Sequence, residues 1–402
     1  MTLLLQVAKV SINGSKSEGN RFSCNVDNLE NKKKIIIFAN TDWYLYNFRY
    51  PLIRELMVND FHVLLLSPRG DYAHRFAEDK IRWRSIEFSR RGLNPIREFS
   101  TIIKLVKILL QERPDILQTF TLKSNLLGAI AGKLSGPISI VHSITGLGYL
   151  FGQRMRKSVI TKFLLLLMRV FFRGSQVIFQ NTENMNFFQE RKIVSKKHSH
   201  LIPGSGVDVD YFVAQAEMEG SVLVVFAGRY LRDKGVIEFF EAAEKIKEMG
   251  VDARFAIVGG IDPGNPESLK AEELVELNRA GAVEDWGWRE DMKEVYRLAH
   301  IVCLPSSYAE GLPKVLIEAS ASGRAIVATD IAGCREIVED GKSGYIVPVG
   351  DADALVQALE NLIQDSKVRV KMGREGRLRA EKEFSTAVIN QQTLDVYSQG
   401  RR

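Results

Sequence analysis

The sequence has few cysteines and no cluster of metal-binding side chains. Its 402 residues include three cysteines, Cys24, Cys303 and Cys334, and six histidines. An odd number of widely separated cysteines gives neither a disulfide framework nor a Cys-x-x-Cys metal site, and this usage suits a reducing compartment. Two histidines lie close together, in the basic stretch SKKHSH, where we expect them to be solvated. A disulfide-stapled secreted domain is therefore excluded.

Long hydrophobic runs are also missing. The longest, FLLLLM at 163–168, ends at Arg169 and is too short to span a bilayer. Residues 1–34 begin with MTLLL but lack a charged start and a clean cleavage site for a secretory signal. We expect this segment to be a poorly ordered extension, and we predict no transmembrane helix.

Three familiar ligand-binding signatures are incomplete or misplaced. No G-x-G-x-x-G follows the first predicted strand, which argues against a nicotinamide dehydrogenase. The GKSG at 341–344 is not a P-loop, because Glu336 stands where that motif needs glycine. The Asp-x-Asp at 208–210 lies in a stretch of polar and small residues that separates two series of apolar strands, and it is predicted to be a linker. The sequence thus predicts no bound metal and no cofactor.

What the chain does have is an ordinary apolar share and a basic charge. Apolar residues make up 45%, enough for a sizeable core, while the net charge is +6 and the pI about 9.0. A basic protein favours anionic partners, such as phosphate-rich ligands, nucleic acid or an acidic membrane face.

Short apolar runs alternate with helical segments in two successive series. Fully apolar strands separated by helices predict parallel sheets covered on both faces. Two series predict an α/β protein with two doubly wound, Rossmann-like lobes and a cleft between them. We place the first lobe at 35–205, the second at 206–385, and a final helix that packs back on the first lobe at 386–402. The predicted strands are 35–40, 63–68, 115–120, 138–143 and 176–181, then 222–229, 254–260, 301–306, 325–330 and 344–349.

The stretch YAEGLPKVLIEAS at 308–320 places two glutamates around a helix start. Pro313 suits a first helical turn, so Glu310 is predicted in the preceding loop and Glu318 inside the helix. The helix dipole stabilises acidic side chains near a helix N-terminus, so the two glutamates could be explained without any functional role. However, this loop follows the strand at 301–306, and ligands of open α/β sheets bind beyond the carboxyl ends of strands. The position favours a functional role.

A second loop, GRYLRDKG at 228–235, follows the first strand of the second lobe. Its Arg229 and Lys234 suit phosphate oxygens, and the nearby helix start adds backbone amides. Two cations and a helix N-terminus would hold a diphosphate without a metal. The glutamates would then accept hydrogen bonds from the hydroxyls on either side, as a nucleotide sugar provides.

Together with TDWYLYNFRYPL and the segment from EDWGWRED to GYIVP, these motifs resemble the family 4 retaining glycosyltransferases of GT-B fold, over residues 35–398. The resemblance implies that Glu310 contacts the donor hexose and Glu318 the ribose. It implies that Arg229 and Lys234 bind the diphosphate and stabilise the departing nucleotide. It also implies further substrate contacts from the helix start, at Gly311, Leu312, Pro313 and Val315, and from Arg289 beside the base.

In the first lobe the resemblance covers two loops. The TDWYLYNFR loop, with Asp42 and Arg49, would face the donor phosphate and the acceptor, although Asp42 is also suited to capping a helix. The loop VHSITGLGYLF at 141–151, with His142 and Gly146, resembles that of members using polyprenol-diphosphate-linked acceptors. His142 either lines the sugar pocket, with a catalytic role, or is a satisfied histidine at a strand end.

Residues 151–174 have six basic side chains and no acidic one around a long aliphatic run. This pattern is typical of a helix lying on a membrane surface, and RWRSIEFSRRG at 82–92 is a candidate for the same surface. The alternative is a core helix whose charged ends reach water.

The sequence therefore predicts a metal-independent, retaining glycosyltransferase. It would move a hexose or N-acetylhexosamine from a UDP-sugar to a lipid-linked glycan in bacterial surface-polysaccharide or glycoprotein-glycan assembly. We expect it to be cytoplasmic, bound peripherally to the inner membrane face, with no nucleic-acid partner. A nucleotide-sugar epimerase of the same fold and a noncatalytic partner in glycan assembly remain alternatives.

Overall fold

The computed structural model describes residues 33–88, 94–146, 158–308 and 311–399. Thirteen strands occur in this part of the chain. They are β1 Lys34–Phe38, β2 His62–Ser67, β3 Arg82–Ser85, β4 Ile116–Phe120, β5 Ser139–Ile144, β6 Gln176–Phe179, β7 Ser199–Leu201, β8 Val222–Arg229, β9 Ala253–Gly260, β10 Val283–Gly287, β11 Ile301–Leu304, β12 Ala325–Thr329 and β13 Gly344–Val347.

Fifteen α-helices accompany these strands in the described ranges. They are α1 Asp42–Tyr44, α2 Tyr50–Val58, α3 Ala73–Glu78, α4 Pro95–Glu112, α5 Leu122–Leu134, α6 Val159–Phe171, α7 Thr182–Glu190, α8 Val236–Glu248, α9 Ala271–Leu277, α10 Met292–Leu298, α11 Lys314–Ala321, α12 Ala332–Ile337, α13 Ala352–Gln364, α14 Ser366–Arg379 and α15 Thr386–Gln399. A π-helical turn, Leu45–Arg49, joins α1 to α2, and a 3₁₀ turn, Arg232–Lys234, precedes α8.

The strands form two parallel sheets. The first has seven strands in the order β3-β2-β1-β4-β5-β6-β7, and the second has six in the order β10-β9-β8-β11-β12-β13. In each sheet the first strand is central, the next two strands add on one side of it, and the remaining strands add on the other side. This order is the doubly wound arrangement. Central strands such as β4 and β12 are buried along their whole length. The predicted fold of two Rossmann-like lobes is confirmed.

Three strands were missed by the sequence pattern, and all three lie at sheet edges. They are β3 with the sequence RWRS, β7 with SHL and β10 with VEDWG. An edge strand has one neighbour and is partly exposed, so its sequence does not need the continuous apolar run that identifies a central strand.

Two chain segments cross side by side between the lobes. The N–H of Val207 donates to the carbonyl of Phe384 at 2.9 Å, and the N–H of Thr386 donates to the carbonyl of Val207 at 2.9 Å. After this crossing α15 packs against α2, and Ile389, Val396 and Tyr397 join the apolar core of the first lobe.

The carboxyl edges of the two sheets meet at one point. Asn181, directly after β6, donates from Nδ2 to the carbonyl oxygen of Gly311, which follows β11, at 2.8 Å. Gly311 also lies against Thr145 at the end of β5, since a Cβ added to this glycine would be 2.1 Å from the Thr145 carbonyl oxygen. The loops that bind ligands in such sheets therefore face one shared cleft.

Candidate active site

The first wall of the site is the turn between β8 and α8. Gly235 has a φ of +82°, and a Cβ there would be 2.1 Å from the carbonyl oxygen of Pro305, so this position requires glycine. Two residues earlier, the carbonyl of Asp233 accepts hydrogen bonds from the Ser306 hydroxyl at 3.0 Å and from the amides of Ser307 and Tyr308 at 2.9 and 3.0 Å. The loop after β8 and the loop after β11 thus form one connected unit.

This unit holds Arg229 and Lys234 within electrostatic reach of each other. Arg229 lies at the end of β8 and pairs with Asp262 at 2.7 Å, while its side chain stays 43% exposed. Burial, followed by the positive charge of Arg229, lowers the pKa of Lys234 to about 8. The Lys234 ammonium also lies 5.4 Å from the ring centre of Tyr308. A ligand with negative charge would relieve the cost of holding two cations here.

Helix α11 forms the second wall. The helix begins at Lys314, one position later than predicted, so Pro313 directly precedes its first residue. Leu312 and Val315 pack against the core of the second lobe. Glu318 lies inside the helix and is buried, with 7% of its surface exposed. It accepts a hydrogen bond from the Tyr296 hydroxyl at 3.1 Å and pairs with Lys314 at 3.4 Å. Burial raises the pKa of Glu318.

Glu310 lies outside the described residues, so its predicted contact with the donor sugar stays a prediction. Its neighbours Tyr308 and Gly311 are described, and they place the two ends of this short segment at the carboxyl edge of the second sheet.

The start of α11 also touches the first lobe. The Lys314 ammonium donates to the carbonyl oxygen of Asn47 at 3.1 Å and lies 5.4 Å from the ring centre of Phe48. Lys314 therefore joins Glu318 to the TDWYLYNFR loop across the cleft. The sequence reasoning missed Lys314 and Tyr296, and the spacing of Lys314 and Glu318, four residues apart on a helix, was the available signal.

Arg49 supports the first-lobe wall. Its guanidinium donates to the Tyr44 hydroxyl from Nε at 2.9 Å and from Nη2 at 2.7 Å, and it stacks 4.3 Å from the ring centre of Phe120. The side chain is 6% exposed. Gly146, which follows β5 beside Thr145, has a φ of +135°, a conformation that side chains disfavour. Both residues lie near the Gly311 contact, and their substrate contacts stay predictions.

Asp42 is fully engaged in holding a neighbouring loop. Its Oδ2 accepts from the backbone amides of Gly70 and Tyr72, both at 2.9 Å, and its Oδ1 accepts from Trp43 at 2.7 Å. A Cβ at Gly70 would overlap the carboxylate. The residue is 3% exposed, while Thr41 caps the helix. This geometry favours a structural role for Asp42 over contact with the acceptor.

His142 lies within β5 and is completely buried, which corrects its predicted position at a strand end. Its Nδ1 is 2.7 Å from the Thr119 hydroxyl, and its ring stacks on Phe172 with centres 4.2 Å apart. Burial lowers the pKa of His142 to about 3, so the ring is neutral. Its Nε2 is buried and has no hydrogen-bond partner among the described residues, so the histidine is buried but not fully satisfied, and its catalytic role stays a prediction.

Arg289 and the Asp-x-Asp stretch are both held by contacts within their own loops. Arg289 follows β10 and forms a two-point ion pair with Asp291, at 2.7 and 2.5 Å, so its guanidinium is already engaged. Asp208 of the Asp-x-Asp stretch accepts from the amides of Asp210 and Tyr211 at 3.0 and 2.8 Å, as in a tight turn. That stretch lies in the segment between the lobes, as predicted.

Comparisons with known proteins match both lobes. The family model described as "Glycosyl transferases group 1" matches residues 210–379, and the one described as "Glycosyl transferase 4-like" matches residues 34–182. The chain is a family 4 glycosyltransferase of GT-B fold. Most of both lobes is covered, so the glycosyltransferase family predicted from the motifs is confirmed.

Two similar transferases match this glycosyltransferase along most of its length. The N,N'-diacetylbacillosaminyl-diphospho-undecaprenol alpha-1,3-N-acetylgalactosaminyltransferase of Campylobacter jejuni is 28% identical over 368 residues, which is 88% of this chain and 95% of the relative. The UDP-Gal:alpha-D-GlcNAc-diphosphoundecaprenol alpha-1,3-galactosyltransferase of Escherichia coli is 25% identical over 332 residues, covering 79% and 84%. The crystal structure of Anabaena HepE with UDP shares the fold, with a TM-score of 0.74, 17% identity and coverage of 91% and 100%.

Proposed function

We propose that this glycosyltransferase moves a hexosyl or N-acetylhexosaminyl group from a UDP-sugar to a glycan carried on polyprenol diphosphate. The new linkage keeps the configuration of the donor, and no metal takes part. The two relatives described above act on undecaprenol-diphosphate-linked acceptors, which supports the acceptor class. The reaction would serve bacterial surface-polysaccharide or glycoprotein-glycan assembly.

The observation that carries this proposal is the meeting of Arg229, Lys234 and the start of α11 at one sheet edge. A nucleotide diphosphate placed there would meet two cations and the backbone amides of a helix N-terminus. These groups need no metal to balance the phosphate charge. The ribose hydroxyls would lie toward Glu318, whose carboxylate is already held by Tyr296 and Lys314.

The reaction breaks the bond between the anomeric carbon and the phosphate oxygen of the donor. An acceptor hydroxyl oxygen bonds to that carbon on the face that the diphosphate leaves, and its proton passes to the departing phosphate oxygen. Negative charge grows on the diphosphate as the bond breaks, so Arg229 and Lys234 stabilise the transition state more than the bound donor. Glu310 would hold the sugar hydroxyls.

A membrane surface on the first lobe would give access to a lipid-linked acceptor. Helix α6 exposes an apolar stripe on the face opposite its buried residues, and its members Val159, Phe163, Leu166 and Val170 are 81%, 57%, 56% and 57% exposed. Basic side chains of Lys162, Arg169 and Arg173 flank the stripe. An amphipathic helix with these features binds at a lipid headgroup layer.

Helix α4 repeats this pattern, which the sequence reasoning did not predict. Its residues Ile96, Phe99, Ile103 and Leu110 are 81%, 65%, 42% and 53% exposed, and α5 packs between α4 and α6. None of the helices in the described ranges combines the length and hydrophobicity of a bilayer-spanning segment. Two apolar helix faces support peripheral attachment, which we place on the cytoplasmic face of the membrane.

The stereochemistry of the product tests the proposal. The purified protein would be incubated with a UDP-α-sugar and detergent-solubilised polyprenol-diphosphate glycan, and the new anomeric proton would be observed by NMR. We expect an α linkage in the presence of EDTA. A β linkage, or loss of transfer on adding EDTA, would contradict it.

A further inference from the structure

A basic cavity lies on the first lobe, away from the cleft. Its volume is about 1250 Å³, and it opens where β5 and β6 begin, between the C-terminal half of α6 and the segment after α7. The cleft lies at the opposite, carboxyl, edge of the same sheet. The cavity is therefore separate from the donor and acceptor sites described above.

The charge of this cavity has one sign. Its lining has no acidic residue and includes six basic ones: Lys133, Arg169, Arg173, Lys192, Lys197 and His198. Within the described part of the chain, none of its five lysines and arginines is held in an ion pair. Lys133 donates to the carbonyl oxygen of Arg173 at 2.8 Å, which ties the end of α5 to the end of α6. Such a cavity attracts an anion of high charge density, such as a phosphate group.

The rim of the cavity indicates what carries the phosphate. Leu166 and Val170 line it, and both belong to the exposed apolar stripe of α6. Contact with an apolar rim adds no binding free energy for a small soluble anion. A membrane lipid places its phosphate beside its acyl chains, so it would fill the basic cavity and cover the apolar stripe together.

We propose that this cavity binds the phosphate headgroup of an anionic membrane lipid, distinct from the lipid that carries the acceptor glycan. The inference rests on the peripheral membrane attachment proposed above. Because α6 runs from the end of β5 to the start of β6, a lipid held at its C-terminus would orient its N-terminal end, next to the cleft, toward the membrane. The cavity would make attachment depend on anionic lipid.

Vesicle flotation with matched charge variants tests the site. The cavity variant would carry Arg173→Gln, Lys192→Gln and Lys197→Gln. The control would carry Arg374→Gln, Lys367→Gln and Lys371→Gln, three exposed positions on α14 of the second lobe. Both lose three positive charges, one arginine and two lysines. Vesicles would consist of phosphatidylcholine alone or of an equimolar mixture with phosphatidylglycerol.

The cavity variant should bind mixed vesicles about tenfold more weakly than wild type, and the control less than about threefold more weakly. Both should match wild type on phosphatidylcholine alone. Equal losses in the two variants would show a general charge attraction and overturn the site. Excess inorganic phosphate at constant ionic strength should not displace the protein, and displacement would identify a site for soluble phosphate instead.

Sugar transfer to detergent-solubilised acceptor separates this inference from the proposed function. Both triple variants should transfer at the wild-type rate, because neither set of residues touches the cleft. Loss of transfer in the cavity variant alone would place the cavity in the catalytic machinery and contradict the inference. A wild-type protein that transfers sugar but floats with neither vesicle would overturn the membrane surface and the lipid site while leaving the transferase intact.

Discussion

At the level of single residues, the environment of Lys234 disfavours its positive charge. Its pKa is lowered to about 8 because it is buried and lies beside Arg229. A lysine whose pKa is lower in the folded than in the unfolded state reduces the free energy of unfolding of the ligand-free protein at pH values below the folded-state pKa. This loss of stability becomes smaller as the pH rises from 8 toward the pKa of lysine in the unfolded chain. The ligand-free protein is therefore less stable at neutral pH than it would be without this charge, and a bound diphosphate would remove the destabilisation.

Replacing Lys234 should therefore separate activity from stability. We expect Lys234→Met to lower kcat by two or more orders of magnitude, since one preorganised charge contributes about that much to a transition state. The melting temperature of the free variant should equal or exceed that of wild type. Lys371→Met, an exposed lysine on α14, serves as the control and should change neither quantity. A variant with wild-type turnover would remove Lys234 from the mechanism.

Donor binding should also weaken as the pH passes 8. A bound diphosphate favours protonated Lys234, so binding above pH 8 takes up a proton and the Kd for UDP rises by up to about tenfold per pH unit. Calorimetry of wild type and Lys234→Arg across this range measures the effect. The uracil ring of UDP also loses a proton at alkaline pH and affects both proteins equally. The effect of Lys234 is therefore the difference between the Kd values of wild type and Lys234→Arg at each pH. Parallel pH profiles would contradict a role for this lysine.

Glu318 offers a test of the ribose contact. We expect Glu318→Gln to raise the Kd for UDP by about tenfold to a hundredfold, because a hydrogen bond to a charged acceptor is worth about 1.5–3 kcal/mol. The control is Glu339→Gln, whose carboxylate pairs only with a neighbouring exposed lysine among the described residues. If uridine monophosphate and UDP bind the Glu318 variant as they bind wild type, the carboxylate does not hold the nucleotide.

The positions of Arg229 and Lys234 could be predicted from the sequence, whereas the surroundings of His142 could not. Arg229 and Lys234 could be predicted because they follow a strongly apolar strand, and the carboxyl end of a parallel strand is a ligand-binding position. His142 could not, because an apolar stretch does not reveal which side chain a helix covers. Phe172, which stacks on His142, lies 30 positions further along the sequence.

At the scale of elements, α6 combines a buried face with an exposed apolar one. The sequence pattern was compatible with a membrane helix or a core helix, and α6 has features of both. Thr161 and Met168 are buried against the first lobe, while the opposite face is exposed. The length of its apolar run could not distinguish these cases, since the helix is apolar on more than one side.

Charges placed on the exposed stripe should weaken membrane attachment. We expect Val159→Glu with Leu166→Glu to reduce flotation with mixed vesicles by more than tenfold, because each apolar side chain buried in lipid contributes about 1.5–3 kcal/mol. The control is Val370→Glu with Leu378→Glu, exposed residues of the same types on α14. Transfer to solubilised acceptor should be unchanged in both. Equal flotation of the two variants would remove α6 from the membrane surface.

At the level of the complete molecule, the lobes meet through the loop that is proposed above to contact the donor. Gly311 lies against Thr145 and accepts from Asn181, while Lys314 reaches Asn47. The crossing segments at Val207 and Phe384 join the lobes at another place. Closing the cleft would therefore bring the first-lobe loops onto a donor held by the second lobe, and exclude water from it.

A methyl group at this contact should hinder closure. Gly311→Ala places a Cβ where 2.1 Å separates it from the Thr145 carbonyl oxygen, so the lobes would have to move apart. We expect kcat to fall by tenfold or more while the Kd for UDP changes less than about threefold, because Arg229, Lys234 and Glu318, the proposed nucleotide contacts, all belong to the second lobe. Gly376→Ala, within α14 and with ordinary contact distances, is the control. An unchanged kcat would show that this contact does not limit the reaction.

The fold of the whole molecule could be predicted because most of its central strands are strongly apolar and alternate with helical segments. Its edge strands could not, and neither could the contacts across the cleft, which join residues that are far apart in the sequence. Pairs such as Lys314 and Asn47 lie 267 positions apart in the sequence. The identity of the sugar and of the acceptor depends on the shape of these loops rather than on the strand pattern.

An assay of donor turnover tests whether the protein transfers sugar to a lipid-linked glycan without a metal. UDP-, GDP- and ADP-sugars would be supplied one at a time with lipid extracted from bacterial membranes and with EDTA, and the lipid products would be weighed by mass spectrometry. The proposed function predicts that a UDP-sugar is consumed only when lipid is present and that one sugar is added to a polyprenol-diphosphate glycan. Conversion of the donor without lipid would indicate an epimerase, and release of nucleotide that EDTA abolishes would contradict the metal-free site.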